Sequence, residues 1–218
     1  MRAARARLRA EPEPVAGPPA IDVSALPTTA QGSRTPLWWG LVGMITIEST
    51  IFAMLAVTYF YLRGSAAVWP PPDVRGNYPL RIAELAVLLV SAVPMIAVEL
   101  AVKRKSLAGM RLWLLVATAL GLVFVALRFY SFHLMTYRWN SHAYGSVVWT
   151  ILGMHATHAV AASVENVVFL VLLFLGPVEE KHLLDLRLNA LYWYFVVLAW
   201  VPLFAILFLD PGLLELAR

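Results

Sequence analysis

The sequence predicts an all-α integral membrane protein, a bundle of five transmembrane helices with its N-terminus in the cytoplasm and its C-terminus outside. Three observations lead there. Of 218 residues, 61% are hydrophobic and only 14% are charged, a balance unlike that of soluble domains. Several runs are apolar on every face and long enough to cross ~30 Å of hydrocarbon at ~1.5 Å per residue. Lys and Arg fall unequally on alternate flanks of those runs. In lipid every backbone donor and acceptor must be satisfied within the protein, and long runs of this kind do so as helices rather than as the short alternating strands of a barrel.

Residues 1–36 carry Arg2, Arg5, Arg7 and Arg9 and then a Pro-, Ala- and Gly-rich stretch with few large apolar side chains. Such a composition predicts a disordered cytoplasmic tail. No apolar segment follows the arginines until Leu37, so a cleaved secretory signal is not expected. Residues 37–210 then form the transmembrane domain. The first span covers Leu37 to Leu62, with the single charge Glu48 near its middle. The second runs from Leu80 to Val102, with Pro94 as an expected kink. The third covers Leu112 to Phe132 and the fourth Ala143 to Leu175; the fourth is ~50 Å long at helical rise and must tilt or protrude. The fifth covers Leu188 to Leu209 and stops at Asp210-Pro211-Gly212, leaving residues 211–218 as a short tail.

Placing the N-terminus inside puts Arg2, Arg5, Arg7, Arg9, Arg34, Lys103, Arg104, Lys105, Arg111, Lys181 and Arg187 on one side of the membrane. The other side receives Arg63, Arg75, Arg81, Arg138 and Arg218, and this asymmetry sets the orientation. The WPPPDVRGNYP loop cannot be helical and belongs to the outer surface. Trp38, Trp39, Trp69, Trp113 and Trp139 lie near span ends, as interfacial anchors should.

The absence of cysteine excludes a disulfide, a thiolate copper site, an iron–sulfur cluster or a covalently attached haem built from this chain. No phosphate-binding loop, dinucleotide fingerprint or Ser/His/Asp arrangement is present. The net charge of +4 suits an anionic membrane surface, and no nucleic-acid recognition motif accompanies it.

Glu48 is the residue that lipid penalises most, since a carboxylate near the bilayer centre costs about 2.5 to 3.5 kcal/mol on insertion scales. It must be protonated, paired or facing water, either as a proton-exchanging or headgroup-binding group or as a hydrogen-bonded packing contact. His155 and His158 lie one helical turn apart and Glu165 follows on the same side of the span. A metal site would need a further ligand, which Glu48 could complete. Interhelical hydrogen bonding explains the same polar face with fewer requirements. Arg128, inside the outer end of the third span, can snorkel toward phosphate groups, and with Arg63, Trp38 and Trp39 it is a candidate contact to lipid headgroups. Glu84 and Glu99, near span ends, are expected to be wet. Glu179, Glu180, Lys181, His182, Asp185 and Arg187 read as a solvated inner loop.

Four ordered stretches are similar to subunit III of the haem–copper oxidases, the cytochrome c and quinol oxidases, in its five-span bacterial form. The first comprises Trp38-Trp39-Gly40, Glu48, Tyr59 to Arg63 and Trp69-Pro70-Pro71. The second is Leu120-Gly121 with Phe124, and the third is Tyr144-Gly145-Ser146 with Gly153, His155 and His158. The fourth is Tyr192-Trp193, Phe195-Val196 and Trp200. The resemblance covers residues 37 to 210. It departs from the family pattern at Arg128 and Ser131, where Gln and Glu are usual, and at Tyr194 and Val197, where His and Asp are usual. Glu165 matches no family position.

The resemblance implies a subunit without redox centres in a bacterial cytoplasmic membrane. Haem and copper would belong to partner subunits. This chain would pack against subunit I, alongside subunit II and further subunits, bind phospholipid, support proton uptake and protect subunit I during turnover. Glu48 falls on the family's carbodiimide-reactive carboxyl. An accessory subunit of a nitric oxide reductase is an alternative within the family. A small ion or metal transporter using Glu48, His155, His158 and Glu165 is the alternative outside it, although no inverted repeat supports it.

Overall fold

The computed structural model describes residues 36–72, 74, 77–176 and 180–209. Of the expected tails, residues 1–35 and 211–218 lie outside the described residues, as does Asp210, while Pro36 opens the first helix. The described residues are helical apart from short connections. The helices are α1 Pro36–Ser65, α2 Tyr78–Lys103, α3 Leu107–His133, α4 Ala143–Leu175 and α5 Glu180–Phe204, the last continuing as a π-helical turn over Ala205–Leu209. All five are long and apolar enough to cross a membrane.

The tightest connection joins α2 to α3. Lys105 adopts a left-handed backbone at φ 52°, and its N–H and that of Ser106 close onto Val102 O and Ala101 O, satisfying carbonyls at the end of α2. Ser106 Oγ then accepts the Gly109 N–H and starts α3. The two helices therefore run antiparallel. Along α2 the buried residues Arg81, Glu84, Leu88, Ser91, Met95, Val98 and Val102 recur at steps of three and four, the spacing that packs one helix along another. The helix continues through Pro94, where a kink was expected.

His142 caps α4, its Nδ1 accepting the Gly145 N–H at 2.8 Å. Gly145 is required there, because a Cβ would stand 2.6 Å from the Arg138 carbonyl oxygen. Ser146 Oγ donates to Trp139 O at 2.7 Å and ties the same turn to the loop before it. At the other end of α4, Arg111 Nε donates to Leu173 O at 2.8 Å, joining the start of α3 to the end of α4.

The fifth helix starts earlier than expected. The segment from Glu180 to Arg187, expected as a loop, is helical, because Glu, Lys, Leu and Arg are good helix formers whatever their charge. Pro202 lies inside α5, and three residues later the helix widens into the π turn.

The core gathers on α2, α3, α4 and α5, with Trp193 and Trp200 fully buried. Gly121 of α3 admits Trp193, whose Cη2 would lie 2.6 Å from a Cβ at that position. Trp193 Nε1 in turn donates to Ser91 Oγ of α2 at 3.0 Å. The first helix is different. It packs on α4 and α5 and buries only Phe52 and Tyr59, leaving Ile47, Met54, Val57 and Phe60 exposed.

Candidate functional site

Most of the ionisable residues at membrane depth fall into two groups. The first joins α1 to α4. Glu48 Oε1 lies 3.4 Å from His158 Nε2, with the two side chains 17% and 8% exposed. His158 Nδ1 lies 2.7 Å from Met154 O; a carbonyl only accepts, so Nδ1 carries a hydrogen and Nε2 is the nitrogen offered to Glu48. Phe52, one turn beyond Glu48, packs on the His158 ring at 5.1 Å and fixes its orientation.

Two cavities flank α1 beside this pair. One, about 760 Å³, is lined by Gly43, Glu48, Ile51, Thr157, His158 and Tyr192 among others. The second, about 540 Å³, includes Met44, Glu165, Phe169, Asp185, Asn189 and Tyr192 in its wall. Gly40 and Met44 line both. A Cβ at Gly40 or Gly43 would meet nothing, so these glycines keep the grooves wide and pack no neighbouring helix.

The second group lies between α2, α3 and α5. Arg128 Nη2 is 3.2 Å from Glu84 Oε2, with side-chain exposures of 1% and 0%. The Arg128 guanidinium also sits 4.0 Å from the Trp200 ring centre and 5.2 Å from that of Phe124. Arg81 Nη1 lies 3.7 Å from the other oxygen of Glu84. His155 belongs beside this group: its Nε2 donates to Val196 O of α5 at 3.0 Å, and its ring lies 4.5 Å from Trp200.

The sequence-derived candidates therefore separate. Glu48 and His158 meet, whereas His155 turns to α5 and Glu165 is exposed on the groove wall instead of between helices. The reason is angular: seven residues from His158 is close to two turns, but α4 packs against both α1 and α5, and the position falls in the gap between them. Among the described residues no three of His, Cys, Asp and Glu converge on a common point. Arg128 does not snorkel to headgroups, because Glu84 and Trp200 hold it inside the bundle. Glu84 is dry for the same reason, while Glu99 is half-buried. Trp38 and Trp39 contact each other edge-on at 4.8 Å at the start of α1, and Arg63 is in its last turn. Those ends are ~36 Å apart at helical rise, so they cannot share one headgroup.

The interhelical contacts without a sequence-level assignment include two polar side-chain pairs. Asn189 Nδ2 donates to Asn166 Oδ1 at 2.7 Å between α5 and α4, and Glu84 pairs with Arg128. A signal for the pair existed: Glu84 is six residues after the start of α2 and Arg128 five before the end of α3, the same depth in antiparallel neighbours.

The four motif stretches have direct structural roles. Gly121 receives Trp193, Gly145 admits the Arg138 carbonyl, and Tyr144 packs against Trp69 at 5.0 Å. The sequence profile of the family described as Cytochrome c oxidase subunit III matches residues 26–210. The chain is 25% identical over 180 residues to a "Cytochrome c oxidase subunit 3" of Thermostichus vulcanus, covering 78% of this chain and 85% of that protein. It is 27% identical over 173 residues to a "Probable cytochrome c oxidase subunit 3" of Nocardia farcinica, with the same coverages. The "Cytochrome c oxidase subunit 3" of Bacillus subtilis is 27% identical over 173 residues, covering 74% of this chain and 80% of that one. With most of its length matched by that profile, the chain belongs to the cytochrome c oxidase subunit III family.

Proposed function

We propose that the chain is a non-catalytic, lipid-binding subunit III of a proton-pumping haem–copper terminal oxidase in a bacterial cytoplasmic membrane. It packs against subunit I, and subunit II and further subunits complete the complex. Haem and copper belong to those partners. This chain offers no thiolate, and among the described residues no three of His, Cys, Asp and Glu converge to hold a metal; His155 gives its Nε2 to Val196 O, while His158 turns its Nε2 to Glu48.

The Glu48–His158 pair on the wall of the α1 groove is the observation that carries this reading. With Nδ1–H committed to Met154, one further proton suffices for the pair, residing on Glu48 Oε1 or on His158 Nε2. Either way the pair is neutral overall, which is the condition for holding ionisable groups at this depth. Phospholipid tails fill the two grooves, whose walls are mostly apolar side chains. The uncovered apolar face of α1 meets lipid or subunit I.

The experiment is affinity purification of the tagged chain from its native membrane in mild detergent, followed by a reduced-minus-oxidised difference spectrum. Haem bands with co-purifying large subunits are the expected result, and the haem type distinguishes an oxidase from a nitric oxide reductase. A colourless, solitary protein would overturn the assignment.

A further inference from the structure

The bundle holds a polar pocket remote from the α1 grooves. It has a volume of about 330 Å³ and lies where α2 begins, α3 ends and α5 passes into its π turn; Asn77, Tyr78, Arg81, Ser131, Tyr137 and Tyr144 supply its polar lining. Among the described residues, the neighbouring cluster contains two guanidinium groups, Arg81 and Arg128, and one carboxylate, Glu84. Glu84 is closer to Arg128, at 3.2 Å, than to Arg81, at 3.7 Å. The two guanidinium groups share one carboxylate, so the cluster carries a surplus positive charge, and Arg81 is its member in the pocket wall.

Arg81 is only 8% exposed, and its Nη1 makes no hydrogen bond. Its other contact is the Phe208 ring, 5.1 Å from the guanidinium carbon. Ser131 is 1% exposed and its Oγ also has no hydrogen-bond partner. A buried cation with spare donors and a buried hydroxyl with none of its capacity used are both expensive unless something in the pocket satisfies them. The start of α2 adds the partial positive charge of its first turn on the same side.

We infer that this pocket binds a phosphate-type oxyanion, held by the Arg81 guanidinium and the Ser131 hydroxyl. Arginine presents a planar fork of donors that matches such an anion, and the bound charge balances the surplus of the cluster. Ser131 donates its O–H to a second oxygen. The anion is either the headgroup phosphate of a lipid or free phosphate, since both offer the same oxygens.

The test is native mass spectrometry on the complex containing the full chain, purified, delipidated and titrated with either inorganic phosphate or a short-chain phosphatidylglycerol. One saturable adduct is expected. Its affinity should fall at least tenfold in Arg81→Gln and about threefold in Ser131→Ala, and stay unchanged in Lys103→Gln at the opposite end of α2. Preference for the lipid identifies a headgroup site, and equal or better binding of inorganic phosphate identifies a free-ion site. Ser131→Ala keeps every charge in place and supplies the comparison if Arg81→Gln does not fold. Absence of an adduct with both probes, or equal affinity in the wild type and the foldable pocket variants, overturns the inference.

Discussion

Arg128 Nη2 lies 3.2 Å from Glu84 Oε2, and neither side chain reaches the surface of the bundle. The pair joins α2 to α3 at a depth where an isolated charge of either sign would be strongly disfavoured. Removing one partner leaves the other uncompensated. Glu84→Gln is therefore expected to destabilise the protein by about 3 to 5 kcal/mol. Adding Arg128→Met should recover part of that loss, with Arg81 still lacking its carboxylate, as read by thermal unfolding in detergent. A single variant as stable as the wild type would show that the pair does not hold the two helices.

Glu48 and His158 should couple measurably across the groove. A double-mutant cycle with Glu48→Ala and His158→Ala is expected to give a coupling of about 1 kcal/mol, in the range of polar contacts between membrane helices. In the purified complex, Glu48→Ala should leave the haem spectra intact while lowering sustained turnover or proton uptake. Wild-type steady-state behaviour would remove the proton-linked role assigned to Glu48.

At Gly121 the constraint is steric. Alanine there places its Cβ 2.6 Å from Trp193 Cη2 and 3.2 Å from Ser163 Oγ. Destabilisation of about 1 to 3 kcal/mol follows from overpacking. Combining Gly121→Ala with Trp193→Phe should be less damaging than the sum of the two, with melting temperatures giving the comparison; strict additivity would place the strain elsewhere.

Asn166 and Asn189 form a buried amide pair between α4 and α5. Replacing either by leucine leaves the remaining amide without its partner, at a cost of about 1 to 2 kcal/mol. Replacing both should approach wild-type stability. Equal losses in the single and double variants would mean that volume, not hydrogen bonding, governs the site.

The helices were legible in the sequence where hydrophobicity alone determines them. The bounds of α4 follow from an apolar run that starts after His142 and stops at Gly176. The start of α5 was hidden because Glu180 to Arg187 carry charge, and charge distinguishes water from lipid but not helix from loop. Arg128 shows the same limit at the level of a site: its distance from the span end permits snorkelling, and only the antiparallel placement of Glu84 turns it inward. His158 and Glu48 could be singled out as expensive residues at membrane depth. Which of the two histidines faces Glu48 depended on how α1 leans on α4, and residue spacing carries no information about that. Asn166 and Ser91 lie in apolar runs with nothing nearby in sequence to mark their partners.

The Glu48–His158 contact also orders events in time. Their positions are 110 residues apart in the chain. At about 5 to 20 residues per second of synthesis, the carboxyl emerges roughly 5 to 20 s before its imidazole partner. During that interval α1 must enter the membrane with Glu48 neutralised by a proton, or wait at the aqueous side of the insertion machinery until α4 arrives. The small buried surface of α1 is compatible with the second course, since little has to be repacked when the first-made helix docks last.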